Sequence, residues 1–218
     1  MPPKPAVIFH DQHLLILDKP SGMPSQATKI SSFGTAIAWV EAFLQKQKQE
    51  SSFVSPAHRL DTPTSGLLCL GLSQQTAGAL QTQFANHSAQ RTYLAIVEGV
   101  IPWEERELQH RIEVDKSHSL ARVVAAPQGR EAKSVARVLQ RGTNKTCLIL
   151  APKTGLTHQL RVQLQDLGHP IIGDSRYGSG GAGRIALHAF GLSLQHPKTR
   201  RPLQLEAPPG DDFWALWA

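Results

Sequence analysis

His58-Arg59-Leu60-Asp61-Thr62-Pro63-Thr64-Ser65-Gly66-Leu67-Leu68 places a base, a cation and a carboxylate within four residues of one another. Turn-forming residues follow Asp61, and an apolar run follows them. A carboxylate so placed sits on a loop just ahead of a strand, fixed by the strand's packing yet reachable, as a reactive group requires. The same residues also fit a plainer role: Asp61 capping a turn and pairing with Arg59, since Asp and Thr ahead of Pro are common turn formers.

Two further polar segments adjoin apolar strands. In Arg91-Thr92-Tyr93-Leu94-Ala95-Ile96-Val97-Glu98-Gly99 a cation and a phenol enter a strand; taken alone, Tyr93 reads as a core tyrosine with a satisfied hydroxyl. The other runs from Thr154 to Gln163 and on through Gly168-His169-Pro170-Ile171-Ile172-Gly173-Asp174. Here Arg161 falls in the first turn of an expected helix, where a cation opposes the helix dipole at a cost of roughly a few tenths of a kcal/mol. That placement calls for an anionic partner, and Asp61 is the candidate. The alternative is an exposed arginine or one capping a neighbouring loop.

Gly-x-Gly-x-x-Gly, a phosphate loop ending in Gly-Lys-Ser/Thr, and the zinc deaminase pattern are absent from the sequence. No two-histidine helical pair with a third ligand occurs. The expected chemistry uses neither a metal nor a cofactor. The chain has 218 residues, 40% hydrophobic and 18% charged, with a formal charge of +6 and a pI of about 9.6. These values suit a globular protein with a polyanionic partner. No apolar run reaches the roughly 18 residues of a membrane span, and the N-terminus lacks the apolar centre of a signal peptide. Cys69 and Cys147 lie in apolar runs and read as buried thiols. A cytoplasmic location is expected.

The elements that must position these residues follow from periodicity and turn signals. Ala6–Phe9 and Leu14–Leu17 form a hairpin, closed by a turn at Lys19-Pro20-Ser21-Gly22. Phe33 to Leu44 has helical spacing with Ser31 or Ser32 as cap, and a second helix begins at Ser73 with Ala77, Leu80 and Phe84 on one face. A third helix spans Thr157–Leu167 and is ended by Gly168. Strands are expected at Leu67–Leu72, Thr92–Val100, Ala121–Ala125, Ala132–Leu139, Thr146–Leu150, Ala186–Leu194 and Pro202–Ala207. The glycine-rich stretch Ser175–Arg184 is expected to be mobile. Strands that follow one another without intervening helices predict a single α+β domain, residues 1–218, with a mixed, mostly antiparallel sheet flanked by helices.

The three segments together resemble the RluA-like family of RNA pseudouridine synthases. His58-Arg59-Leu60-Asp61 with Thr64-Ser65-Gly66-Leu67-Leu68 is similar to its active-site motif, Arg91-x-Tyr93-Leu94-Ala95 to its second, and Thr154-Gly155-x-Thr157-His158-Gln159-Leu160-Arg161-Val162 with Gly168-His169-Pro170-Ile171-x-Gly173-Asp174 and Tyr177-Gly178 to its third. Asp18-Lys19-Pro20-Ser21-Gly22, Leu187-His188-Ala189 and His196-Pro197 extend the similarity over nearly the whole chain. Leu156 stands where the family usually has Arg, and Gln163 where it usually has His, which puts RNA contacts and substrate identity in question. Because the similarity starts within the first ten residues, no S4-like RNA-binding domain is expected.

The resemblance implies an isomerase that converts a uridine of tRNA, rRNA or both to pseudouridine, with a central RNA-binding cleft; apart from the resemblance, a monomer is the expectation. It assigns Asp61 to the sugar, either attacking C1′ or removing the 2′ proton to give a glycal. It pairs Arg161 with that carboxylate and sets Tyr93 on the base near C5. It makes Arg59 the group that fills the space of a flipped-out uridine, at a flipping cost of roughly a few kcal/mol. His58, Lys19, Lys133, Arg137 and Lys153 are candidate RNA contacts, the lysines and Arg137 at phosphates. Two other readings remain: a non-catalytic RNA-binding protein on the same fold, and a glycosidase with Asp61 as nucleophile, for which the second carboxylate most such enzymes need is not obvious in the three segments.

Overall fold

The computed structural model describes residues 4–27, 34–48, 53–115, 117, 120–181 and 183–217. In chain order the strands are β1 (Ala6–His10), β2 (Leu14–Lys19), β3 (Ser55–Pro56), β4 (Ser65–Gly71), β5 (Gln90–Glu98), β6 (Glu105–Asp115), β7 (Leu120–Val124), β8 (Arg130–Arg141), β9 (Lys145–Pro152), β10 (Leu187–Gln195) and β11 (Pro202–Glu206). The helices are α1 (Ala36–Lys46), α2 (Gln74–Ala85), α3 (Gln159–Asp166) and α4 (Asp211–Trp214). This is the α+β class expected from the sequence. The chain packs as two compact units: residues 1–90 with 189–208, and residues 91–188 with 209–218.

In the first unit the strand order is β1-β2-β4-β10-β11, with β3 beside β4. All seven residues of β4 are buried, as expected for a strand covered on both faces. Leu67 and Cys69 of β4 join Leu14, Ile16, Leu80, Leu192 and Leu194 in the core. Gly66 has φ 107°, and a Cβ there would lie 2.3 Å from the Ala189 carbonyl oxygen. Glycine alone lets β4 approach β10 this closely just after the Asp61 loop.

α2 begins where expected: Ser73 accepts from the Thr76 amide while Thr76 Oγ1 accepts from the Ser73 amide. α1 starts later than expected. Its cap is Thr35, whose hydroxyl accepts from the Ala38 amide at 3.2 Å; Ser31 and Ser32 lie outside the described residues. The His196-Pro197 match has a structural explanation. His196 Nδ1 accepts from the amides of Lys198 and Thr199, so its proton sits on Nε2, 2.6 Å from Asp11 Oδ2. Asp11 in turn closes the β1–β2 turn by accepting from the His13 and Leu14 amides.

In the second unit the order is β5-β9-β8-β6-β7, every neighbouring pair antiparallel. α3 lies against β6 and β7. β6 was not expected: its residues are mostly charged, and its two fully buried side chains, Leu108 and Ile112, stand four apart, a spacing that a helix face shares. α4 was also not expected. It buries Phe213 completely, with the Arg184 guanidinium 5.7 Å from its ring centre and the His188 ring beside it. Cys69 and Cys147 are buried free thiols. No helix among the described residues is long and apolar enough to cross a membrane.

Candidate active site

Asp61 is half-buried and opens a turn closed by the Thr64 amide donating to the Asp61 carbonyl at 3.0 Å. The backbone on both sides of it is held by residues 19–25. Ser25 Oγ donates to Leu60 O at 2.8 Å and accepts from Leu60 N at 3.1 Å. The Gly22 amide donates to Thr62 O at 2.9 Å, and Ser21 Oγ donates to Pro63 O at 2.7 Å. A short segment far away in sequence therefore fixes the loop that carries the carboxylate, which is the arrangement a reacting group needs. Ser21 and Ser25 had no assigned role in the sequence reading; their signal was the turn-forming Lys19-Pro20-Ser21-Gly22.

Lys19 belongs to this frame and not to an RNA surface. Its side chain is 0% exposed, and Nζ donates to Met23 O at 2.7 Å, Pro20 O at 3.1 Å and Thr62 O at 3.3 Å. The expectation of a phosphate contact is corrected: a buried ammonium already committed to three carbonyls is not offered to a phosphate. Lys19→Met is expected to lower the unfolding free energy by about 1–3 kcal/mol, because three carbonyls lose a charged donor. Urea denaturation measures this. The slope of RNA affinity against salt is expected to stay unchanged, whereas loss of a phosphate contact would reduce it by about one.

His58 is likewise part of the scaffold. Its Nε2 accepts from the Cys69 amide at 3.2 Å, a bond that requires the neutral ring, and the ring packs on Phe84 with centres 4.4 Å apart. His58 thus forms a strut between the loop and β4. Arg59, the next residue, is exposed.

In the second unit, Tyr93 lies on β5 opposite Leu150 of β9 and is 6% exposed. Arg91, two residues earlier, lays its guanidinium on Gly155, where a Cβ would be 3.3 Å from Nη2. Arg161 is the third residue of α3 and is 3% exposed. Its need for an anion is met by Asp174, with Nε donating to Oδ2 at 2.7 Å and Nη2 to Oδ1 at 2.8 Å. Asp174 Oδ1 also accepts from the amides of Arg176 and Tyr177. Burial by itself would raise the Asp174 carboxyl, but the Arg161 bonds and charge together with these two amides hold it below its ordinary value. The two amides belong to the first residues of the glycine-rich stretch, which are thereby anchored to Asp174. Asp174 was quoted in the third motif without a role; the cation in an unfavourable helical position was the signal for it.

The two departures from the family pattern are structural. Gln163 is fully buried; it accepts from Ser134 Oγ at 2.8 Å and donates to the carbonyls of Leu108 and Ala132 at 3.2 Å each. Leu156 packs against the small core formed by Ile112, Ala121, Ala132 and Val162. Gln163 is therefore not an RNA contact. Among the remaining cations, Arg137 and Lys153 are exposed, and Lys133 pairs with Glu131 at 2.8 Å while its side chain stays 44% exposed. Lys133 and Arg137, four apart on β8, share one face of the strand.

Residues 13–166 match the family model described as RNA pseudouridylate synthase, and the chain belongs to that family. It is 32% identical over 208 residues to the dual-specificity RNA pseudouridine synthase RluA of Pasteurella multocida, covering 93% of this chain and 92% of that protein. It is also 32% identical over 216 residues to the ribosomal large subunit pseudouridine synthase C of Vibrio vulnificus, covering 95% of this chain but only 66% of that longer protein. Among solved structures, human RNA pseudouridylate synthase domain containing 1 superposes with a TM-score of 0.73 at 25% identity, covering 94% of this chain and 84% of the human chain.

Proposed function

We propose that the protein isomerises a uridine of ribosomal RNA, transfer RNA or both to pseudouridine. The observation that carries this reading is Asp61 on a loop whose backbone is fixed at Leu60, Thr62 and Pro63, in a member of this family. The reaction breaks the N1–C1′ bond, turns the base and joins C5 to C1′; the C5 proton leaves and N1 gains one, so nothing else is consumed. An ionised carboxylate meets the first need. Asp61 either attacks C1′ or takes the 2′ proton to give a glycal.

Arg161 is assigned to keep that carboxylate ionised and oriented. Asp174 holds the Nε–Nη2 edge of the guanidinium. Tyr93 stacks on the turned base and assists removal of the C5 proton. Arg59, exposed on the residue chain beside Leu60, fills the gap left by the flipped uridine, a role suited to a planar cation that stacks. Lys133, Arg137 and Lys153 contact phosphates, and the protein acts as a monomer in the cytoplasm.

Tyr93→Phe is expected to leave folding and RNA binding intact and to slow product formation by about 10²-fold or more, the range of general acid–base assistance. Tritium release from transcripts made with 5-labelled uridine measures this; a wild-type rate would remove Tyr93 from proton transfer. The same assay on the wild-type protein tests the reading as a whole. Release without free uracil is expected, and RNA binding without release would favour a binding-only protein.

A further inference from the structure

Tyr177 is fixed from three directions. Its amide donates to Asp174 Oδ1 at 3.2 Å, its hydroxyl accepts from the Ala121 amide of β7 at 2.8 Å, and the same hydroxyl lies 2.8 Å from His158 Nδ1. Burial pushes the phenol up, outweighing the opposing pull of the Ala121 amide and the Arg161 charge. The hydroxyl therefore keeps its proton at neutral pH. With the Ala121 amide as donor, that proton is available to His158 Nδ1. His158 itself stands at the start of α3 with φ 55°. The Tyr177 ring covers the Arg161 guanidinium, whose central carbon is 5.1 Å from the ring centre.

One phenol thus touches the edge strand of the β6–β7 hairpin, the first turn of α3 and the face of Arg161. Asp174 holds the Nε–Nη2 edge of the guanidinium, and the Tyr177 ring lies over its face. We propose that Tyr177 is a positioning residue for Arg161, linking the orientation of its guanidinium to the β6–β7 hairpin. This rests on the assignment of Arg161 above. A link of this kind acts on the rate more than on binding, because small misplacements of a group beside the reacting atoms cost turnover.

The test is steady-state tritium release from one 5-labelled transcript, with thermal melting of each variant alongside. Tyr177→Phe keeps the ring and loses both hydroxyl bonds. Its kcat is expected to fall about tenfold with KM close to wild type and the protein still folded at the assay temperature. His158→Asn, which tolerates the left-handed backbone, is expected to lower kcat in the same way. The double variant is expected to be no worse than Tyr177→Phe alone, as for two residues on one link.

An unchanged kcat in Tyr177→Phe overturns the proposal. So does a raised KM with unchanged kcat, or a kcat loss seen only where the variant is melting. Arg161→Gln separates the two claims. If it is inactive while Tyr177→Phe is normal, only the role of Tyr177 fails. If Arg161→Gln turns over like wild type, the assignment of Arg161 itself fails.

Discussion

Asp61→Asn is expected to fold, to bind RNA as the wild type does and to lose turnover by about 10⁴-fold or more, the scale seen when a reacting side chain is removed. Asn has the shape of Asp but neither its charge nor its nucleophilicity or basicity. The bonds that fix the loop run from Ser25, Gly22, Lys19 and Ser21 to backbone atoms of Leu60, Thr62 and Pro63, so the substitution leaves them in place. Circular dichroism and filter binding on the variant check fold and affinity, and product formation on the same transcript checks turnover. Turnover comparable to wild type would remove Asp61 from the reaction.

Asp174→Asn is expected to be the most destabilising of these changes. Arg161 and Asp174 are 3% and 1% exposed, so removing the anion leaves a buried cation without its main counter-charge, at a cost of about 3–5 kcal/mol. Urea titration at neutral pH measures the difference. The pH dependence has a definite sign. The folded carboxyl lies below its ordinary value, so its contribution is complete above the unfolded value of about 3.9. Below that, the unfolded chain takes up the proton first, and the contribution falls until the folded carboxyl also titrates. The stability gap between wild type and Asp174→Asn should therefore hold across neutral pH and narrow in acid. A gap that widened below the ordinary carboxyl range would contradict the ion pair as its source.

Much of the architecture was legible in the sequence. Continuous apolar runs marked β2 and β4, and Ser73 marked the start of α2. β6 was hidden because a strand with one exposed face needs few apolar residues, and its two buried ones also fit a helix. The site was legible in its reagents but not in its supports. Lys19 looked like a phosphate contact because charge in a sequence reads as surface; its three carbonyl partners come from turn geometry that composition does not reveal. His58 was similar, since an imidazole beside an arginine gives no hint that a strand amide already occupies one of its nitrogens. For Arg161 the helix dipole pointed correctly to an anion. Asp174, thirteen residues on, took the Nε–Nη2 edge because the turn at Gly173 brings it back onto the helix.

The most direct test of the central claim is the nucleoside composition of a tRNA or rRNA transcript after incubation with the purified protein, read by mass spectrometry. Pseudouridine should appear at defined positions with the wild type and be absent with Asp61→Asn, with total uridine plus pseudouridine constant and no free uracil. Release of uracil, or RNA left unmodified by a folded and RNA-bound wild type across transfer and ribosomal transcripts, would contradict it.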